Sequence, residues 1–352
     1  MEYLLEYGMF LAKVVTLSVA IIFVTVMLVT AGGRQRKGDR KGHIKVTKLN
    51  DQLEEMQESL QQVVLDKAAY KAEQKRKKQQ RKQSAKSKQT AAPQESGKPD
   101  RRRAFVVNFK GDIAAHAVES LREEVTTILT LAIPEDEVIL RLESPGGMVH
   151  AYGLASSQLM RVKERKIPLT ICVDKVAASG GYMMACLADK LVAAPFAIIG
   201  SIGVLVQMPN FHRVLKKNEI DYETITAGEF KTTLTTFGEI TQKGRDKVKE
   251  DVEDMHGLFK KWVKDHRPSV DIDKISTGET WVGMQAKDRY MVDEIRTSDD
   301  VIIKACADAD VYEIEYEPRK TLHGRISEIF KGTLTDLVNE ILGRSGTDKF
   351  YS

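Results

Sequence analysis

From Val14 to Ala31 the chain reads VVTLSVAIIFVTVMLVTA, an uncharged and mostly apolar run. One bilayer crossing takes roughly 17–25 such residues, so the pattern predicts a transmembrane helix. Lys13 stands at its edge, where a long side chain reaches the interface. Glu2 and Glu6 precede the run in place of a positive n-region, and no small-residue cleavage site follows, which argues against a removable signal peptide. Next, Leu49, Leu53, Met56, Leu60 and Val63 recur in alternating steps of four and three. This seam of about two heptads falls short of the three or four that specify a coiled coil. It leaves open pairing with a neighbouring chain or packing on its own domain. From Lys71 to Arg103 apolar residues almost vanish, and such a stretch buries too little surface to fold alone.

Beyond Ala104 the pattern changes. Ala104–Phe109 and Glu137–Ser144 read as buried strands, as do Pro168–Val173 and Leu191–Pro195, and Ala197–Val204 is apolar with two glycines. Helical stretches fall between them, at His116–Leu131, from Gly147 through Met160, and after Ala178. Continuous apolar strands alternating with helices predict an α/β domain built on largely parallel sheet with both faces covered. Downstream, Thr241–Arg267 predicts one long amphipathic helix with Val248, Val252, Met255, Phe259 and Trp262 on a face, a packing stripe rather than a cofactor box. A second stripe runs through Leu322, Ile326, Ile329, Phe330, Leu334, Leu337, Val338 and Ile341. It suits a subunit contact, the parent domain or a membrane surface. The expected division is 1–33 tail and span, 34–103 basic linker with a short heptad helix, 104–320 catalytic domain, and 321–352 amphipathic helix and tail.

Charge adds orientation. The formal net charge is +4, yet residues 34–103 hold 21 Lys/Arg against 9 Asp/Glu, so the remainder is mildly acidic. Arg34, Arg36, Lys37, Arg40 and Lys41 follow the apolar run, and only Lys13 precedes it. The positive-inside rule then puts the C-terminal side in the cytoplasm. No aromatics interleave the basic segment, so a solvated tether beside anionic lipid is preferred to nucleic-acid binding. Cys172, Cys186 and Cys306 show neither metal-ligand spacing nor a disulfide framework and read as buried thiols. No P-loop and no clustered His/Cys ligand set is present, so no metal or organic cofactor is expected.

Candidate chemistry centres on Ser179, in Ala177-Ala178-Ser179-Gly180-Gly181-Tyr182, at a strand-to-helix transition. Backbone N–H groups at a helix start favour negative charge, so Ser179 is placed to attack a carbonyl while the Gly180 N–H meets the oxyanion. An ordinary N-cap serine would look the same. Ser144-Pro145-Gly146-Gly147 follows another strand and offers the Gly147 N–H as a second donor, although alone it is a turn. Serine needs a base. His150 and His212 are available but lack an acidic orienter. Lys231, in Ala227-Gly228-Glu229-Phe230-Lys231-Thr232-Thr233, would serve once desolvation removes its charge. The residues alone do not choose between lysine and histidine.

Taken in order, SPGG (Ser144–Gly147), ASGGY (Ala178–Tyr182), IIGSIGV (Ile198–Val204) and GEFKT (Gly228–Thr232) resemble the signal peptide peptidase A family of serine peptidases, over essentially the whole chain. Thr277–Trp281 through Asp293 resembles that family's closing segment. The resemblance implies a ClpP/crotonase-like spiral of ββα units and a membrane-anchored serine endopeptidase. It makes Ser179 the nucleophile and Lys231 the general base. Ser201 would orient the lysine, and the Gly147 and Gly180 N–H groups would form the oxyanion hole. Relatives assemble into rings or domes, and some fuse two copies that share a site. This single copy is therefore expected to form a homo-oligomer in which Ser179 of one subunit meets Lys231 of the next. The expected substrates are peptides: signal-peptide remnants, or misfolded or membrane-released polypeptides. Relatives often carry a third small residue where this chain has Met148, which leaves the neighbouring substrate groove in question. The competing readings are an inactive membrane scaffold of the same fold and a ClpP-like peptidase with a histidine base.

Overall fold

The computed structural model describes residues 42–90 and 101–318, together with Lys13 and Thr16. The expected span at Val14–Ala31 (Thr16 apart) and the stripe at Leu322–Ile341 lie outside the described residues. Among the described residues no helix is long and apolar enough to cross a membrane.

The strands are β1 (His43–Lys48), β2 (Arg103–Lys110), β3 (Glu137–Glu143), β4 (Leu169–Val173), β5 (Val176–Ala178), β6 (Lys190–Ala193), β7 (Ile198–Gly200), β8 (Thr280–Val282), β9 (Glu294–Ile295) and β10 (Asp310–Glu317). The helices are α1 (Leu49–Val64), α2 (Lys67–Thr90), α3 (Val118–Leu129), α4 (Val149–Glu164), α5 (Gly180–Ala185), α6 (His212–Lys217), α7 (Gln242–His266), α8 (Ile272–Ile275), α9 (Gly283–Asp288) and α10 (Ser298–Asp308). Seven strands form one sheet in the order β1-β10-β2-β3-β4-β6-β9, and β5-β7-β8 form a small second sheet. Every pairing from β10 to β9 is parallel. The architecture is mixed α/β, with the four long apolar runs forming strands of the large sheet.

Alternation along those strands divides the core. Phe105, Val107, Leu140, Leu142 and Ile171 pack with Leu121, Val125, Leu159 and Val162 of α3 and α4. The intervening Val106, Ile139, Cys172 and Val192 face Ile302 of α10 and Leu49 of α1 on the other side. Successive strand residues point to opposite faces, so a parallel sheet needs both covers. Burial pushes the Cys172 and Cys186 thiols up to about 12, as inert structural cysteines require.

The segment expected as linker differs from its sequence reading at both ends. β1 lies at the sheet edge beside β10, so the folded body starts before Ala104. The Asn50 side chain donates to Cys306 O and Ala309 O, 3.0 Å each, and accepts from Val311 N at 2.7 Å. Farther on, Met56, Leu60 and Val63 of the heptad seam are exposed in the single chain. The stretch expected not to fold alone contains the whole of α2 after its first turn. Asp66 caps α2 through Ala68 N and Ala69 N, at 2.9 and 2.8 Å, and Lys77 reaches back to Glu54 and Glu58 on α1. A search for apolar periodicity misses a helix that is polar all round, whereas its Lys, Gln, Glu and Ala residues are good helix formers.

Candidate active site

Three turns meet at the carboxyl ends of β3, β5 and β7. A single parallel bridge, Ser144 to Ala177, joins the large sheet to the small one: Ser144 N donates to Val176 O and Ala178 N to Ser144 O. β5 and β7 pair in parallel with Ala178 opposite Gly200. Ser179 and Ser201 are therefore the next residues off adjacent strands, whose spacing is about 4.8 Å. Ser179 N donates to Gly200 O at 2.8 Å, and Ser201 N to Glu279 O at 2.6 Å. Strand ends of this kind are where α/β sheets place ligands.

The backbone at these turns is held away from ordinary geometry. Ser179 has φ 52° and ψ −119°, and Ser201 also has φ 52°. Such values are uncommon for residues with a Cβ and persist only where the surroundings enforce them. At Ser179 they make a tight bend straight from strand into α5. Gly146 has φ 87°, and a Cβ there would fall 2.7 Å from Gly180 N and 2.7 Å from Ser179 Cβ, so the two glycine turns touch. Gly147 lies against the Ile113 backbone, where a Cβ would be 2.1 Å from the Ile113 oxygen.

These turns border a cleft of about 1390 Å³. Ser179, Gly180, Gly147 and Ser201 all line it, as does Met148, and α7 contributes a wall of Met255, Phe259 and Trp262. Three of the five residues of the α7 stripe therefore line the cleft, and Phe259 among them also belongs to the core. Trp262 Nε1 donates to Met183 O at 3.0 Å, tying that wall to the helix after Ser179. Thr277 and Gly278, from the segment that resembles the family's closing one, also line the cleft. The lining is mostly apolar with a few polar side chains, as ligand clefts commonly are.

Lys231 is elsewhere. It is exposed on an arm running from 204 to 241 and is not among the residues lining the Ser179 cleft of its own chain. Neither His150 nor His212 lines the cleft. His256 does, and its Nε2 is buried with no hydrogen-bond partner. Sequence reading passed over His256 because it sits inside the α7 stripe with no motif around it. It also missed Tyr152, which is fully buried, with Oη 2.6 Å from Ser144 Oγ. An aromatic within a helical stretch carries no sign that its hydroxyl reaches the preceding turn.

Two family models match this chain, Peptidase family S49 N-terminal over residues 2–159 and Peptidase family S49 over residues 161–312. The chain belongs to peptidase family S49. The S49 chain is 44% identical over 354 residues to "Probable protease SohB" of Haemophilus influenzae, covering 99% of both sequences. It is 43% identical to "Probable protease SohB" of Buchnera aphidicola subsp. Acyrthosiphon pisum, covering 97% of each. The resemblance carried by the four motifs is therefore shown, and the chain is a peptidase by family. Among solved structures, this S49 chain is similar to a lysine-to-alanine mutant of a 1510-N membrane-bound stomatin-specific protease in complex with a substrate peptide. That likeness has a TM-score of 0.43 at 14% identity, over 65% of this chain and all of the other.

Proposed function

We propose that this S49 peptidase is a membrane-anchored serine endopeptidase in which Ser179 attacks the scissile carbonyl and Lys231 of a neighbouring copy is the general base. The observation that carries the reading is the strained turn at Ser179. It opens on a peptide-sized cleft, and the amides of Gly147 and Gly180 have no acceptor among the described residues. In this reading the neutral Lys231 amine takes the Ser179 proton as Oγ bonds to the carbonyl carbon. The carbonyl oxygen becomes an oxyanion facing the Gly147 and Gly180 N–H groups. As the tetrahedral intermediate collapses, the protonated lysine gives its proton to the leaving amine. Water deprotonated by the same lysine then hydrolyses the acyl-enzyme. Ser201 orients the amine.

Two features support a shared site. Lys231 is exposed and absent from its own cleft, and its arm displays Ile220 and Ile225, the last 90% exposed. Large apolar side chains left in the open on such an arm suit a surface that another chain covers. We extend the proposal to a ClpP/crotonase-like spiral for the fold, an inner-membrane anchor at Val14–Ala31 and a cytoplasmic catalytic body. The substrates are peptides such as signal-peptide remnants or other membrane-released or misfolded polypeptides.

The test has two stages. A fluorophosphonate should label the wild type and leave Ser179→Ala unlabelled and inactive. An active, labelled Ser179→Ala removes Ser179 as the nucleophile, whereas an unlabelled, inactive wild type leaves the scaffold reading standing. Mixing inactive Ser179→Ala with inactive Lys231→Ala under exchange conditions should then restore part of the activity. No recovery removes the shared site. One observation favours a second reading, a histidine base: His256 lines the same cleft as Ser179. Under it, His256→Ala abolishes turnover and Lys231→Ala spares it, the reverse of the proposed outcome.

A further inference from the structure

Gly146 N donates to Ser144 Oγ at 3.0 Å, and Tyr152 Oη donates to Asp112 O at 2.8 Å. A phenol has one hydrogen and a serine hydroxyl one. With the tyrosine hydrogen committed to Asp112, the 2.6 Å contact between Ser144 Oγ and Tyr152 Oη must be Ser144 donating. The result is one directed chain: Gly146 N–H to Ser144, Ser144 to Tyr152, Tyr152 to the Asp112 carbonyl. Ser144 and Tyr152 are both fully buried. Burial pushes the phenol above its ordinary range, so it remains a donor.

Both ends of this chain bear on the Gly146–Gly147 turn, and the Tyr152 ring in its middle bears on the Gly180 turn. Ser144 occupies the Gly146 amide, which leaves Gly147 as the free donor of that turn. The loop carrying Asp112 continues into Ile113, whose oxygen accepts Met148 N at 2.8 Å and whose backbone packs on Gly147. The Asp112 carboxylate accepts from His116 N at 3.0 Å and contacts His116 Nδ1 at 2.6 Å, which fixes that loop. On the other side, the Tyr152 ring lies under the nucleophile turn: a Cβ on Gly180 would fall 2.4 Å from Tyr152 Cγ. Phe109 backs the ring edge to face, at 6.4 Å between centroids.

We propose that Tyr152, acting through Ser144 and the Asp112 carbonyl, is a positioning residue that fixes the distance between the Gly147 and Gly180 amides, and so sets how well the cleft holds the tetrahedral oxyanion. The proposal rests on the reading of Ser179 as nucleophile and of those two amides as its oxyanion donors. Tyr152 never meets substrate. It both supports the Gly180 turn and belongs to the hydrogen-bond chain anchoring the Gly146–Gly147 turn.

The test is Tyr152→Phe in the full-length protein, which keeps the ring and removes the hydroxyl. Loosening an oxyanion donor weakens the transition state and leaves ground-state binding, so kcat on a fluorogenic peptide should fall about tenfold with KM within about twofold. Affinity for an N-acyl trileucine aldehyde, which forms a tetrahedral oxyanion on Ser179, should fall by the same factor. Affinity for the matching alcohol should not change. Ser144→Ala, which leaves the tyrosine intact, should give the same split and stands in if the phenylalanine variant does not fold. An unchanged kcat, or a lower kcat with undiminished aldehyde affinity, overturns the proposal. Ser179→Ala, run alongside, separates the two claims: if it stays active, the serine reading itself falls, and if it is dead while Tyr152→Phe is fully active, only the role of Tyr152 falls.

Discussion

The strand-end cradle and the 204–241 arm are built on opposite principles. In the cradle, parallel register sets Ser179 beside Ser201 and Ser144 beside Ala177, and touching glycine turns and buried hydrogen bonds fix the backbone. The arm has sparse internal structure: Phe211 N to Thr236 O, an Asn210 side chain bridging Thr235 O and Gly238 O, and loose packing of Phe211 and Tyr222 on Phe237. Lys243 and Lys247 of α7 lie over the Phe230 ring, and Lys243 pairs with Glu229. The cradle is complete within one chain, whereas the arm turns apolar side chains and its lysine outward. The proposed chemistry therefore takes its geometry from the fold and its base from assembly.

The largest effect expected from breaking the cradle alone is that of Gly147→Ala. Its Cβ would meet the Ile113 oxygen at 2.1 Å, so the turn must shift and carry its amide out of place. Loss of one oxyanion donor costs about 10²–10³ in kcat. Steady-state kinetics should show that loss without a change in oligomeric mass. Breaking the arm should do the reverse. Ile225→Asp places a charge at a 90% exposed position, so the thermal midpoint of the monomeric fold should stay within about 1–2 °C. Assembly measured by light scattering should weaken, and activity should fall about tenfold if the two are linked as proposed. Activity that survives with assembly lost would mean that the cradle needs no second chain.

The smallest effect on turnover concerns the sheet behind the cradle. Glu124 on α3 is buried, accepts Tyr316 N at 2.9 Å through Oε1, and leaves Oε2 without a partner. Burial raises its carboxyl from 4.5 to about 7, with Glu315 adding to the shift. The folded state then holds a proton that the unfolded state releases, so this group's stabilising contribution is full below about 4.5 and is lost as pH rises to about 7. The loss is on the order of 2–3 kcal/mol. Urea unfolding at pH 5 and pH 8 should show it in the wild type and not in Glu124→Gln, with activity little changed at either pH.

The sequence announces long buried strands clearly and short or edge strands poorly. β2, β3, β4 and β6 are legible because burial on both faces leaves unbroken apolar runs. β5, β8 and β9 have three residues or fewer, too short for any period to register. β10, DVYEIEYE, lies one strand in from the edge yet interleaves acids with apolar residues, and β1, HIKVTK, is half polar, as an edge position permits. Ser179, Gly147, Gly180 and Ser201 were found as motif residues, and the structure gathers them at one cleft. Their mutual placement depends on the register of β5 with β7 and on one bridge at Ser144, which no local pattern encodes. Tyr152 was invisible for the same reason. Its hydroxyl matters because of a loop forty residues upstream.

The position of β10 between β1 and β2 also fixes an order of events during synthesis. The ribosome releases β1 and Asn50 early, but their partners around Ala309 and Val311 lie about 260 residues later. Until Glu317 emerges, β1 has no neighbour among the described strands to receive it, and Leu49 lacks Ile302 and Val311 of its cluster. A nascent peptidase of this design therefore stays open along one edge until nearly the whole body has been translated, and only then closes around its final strand.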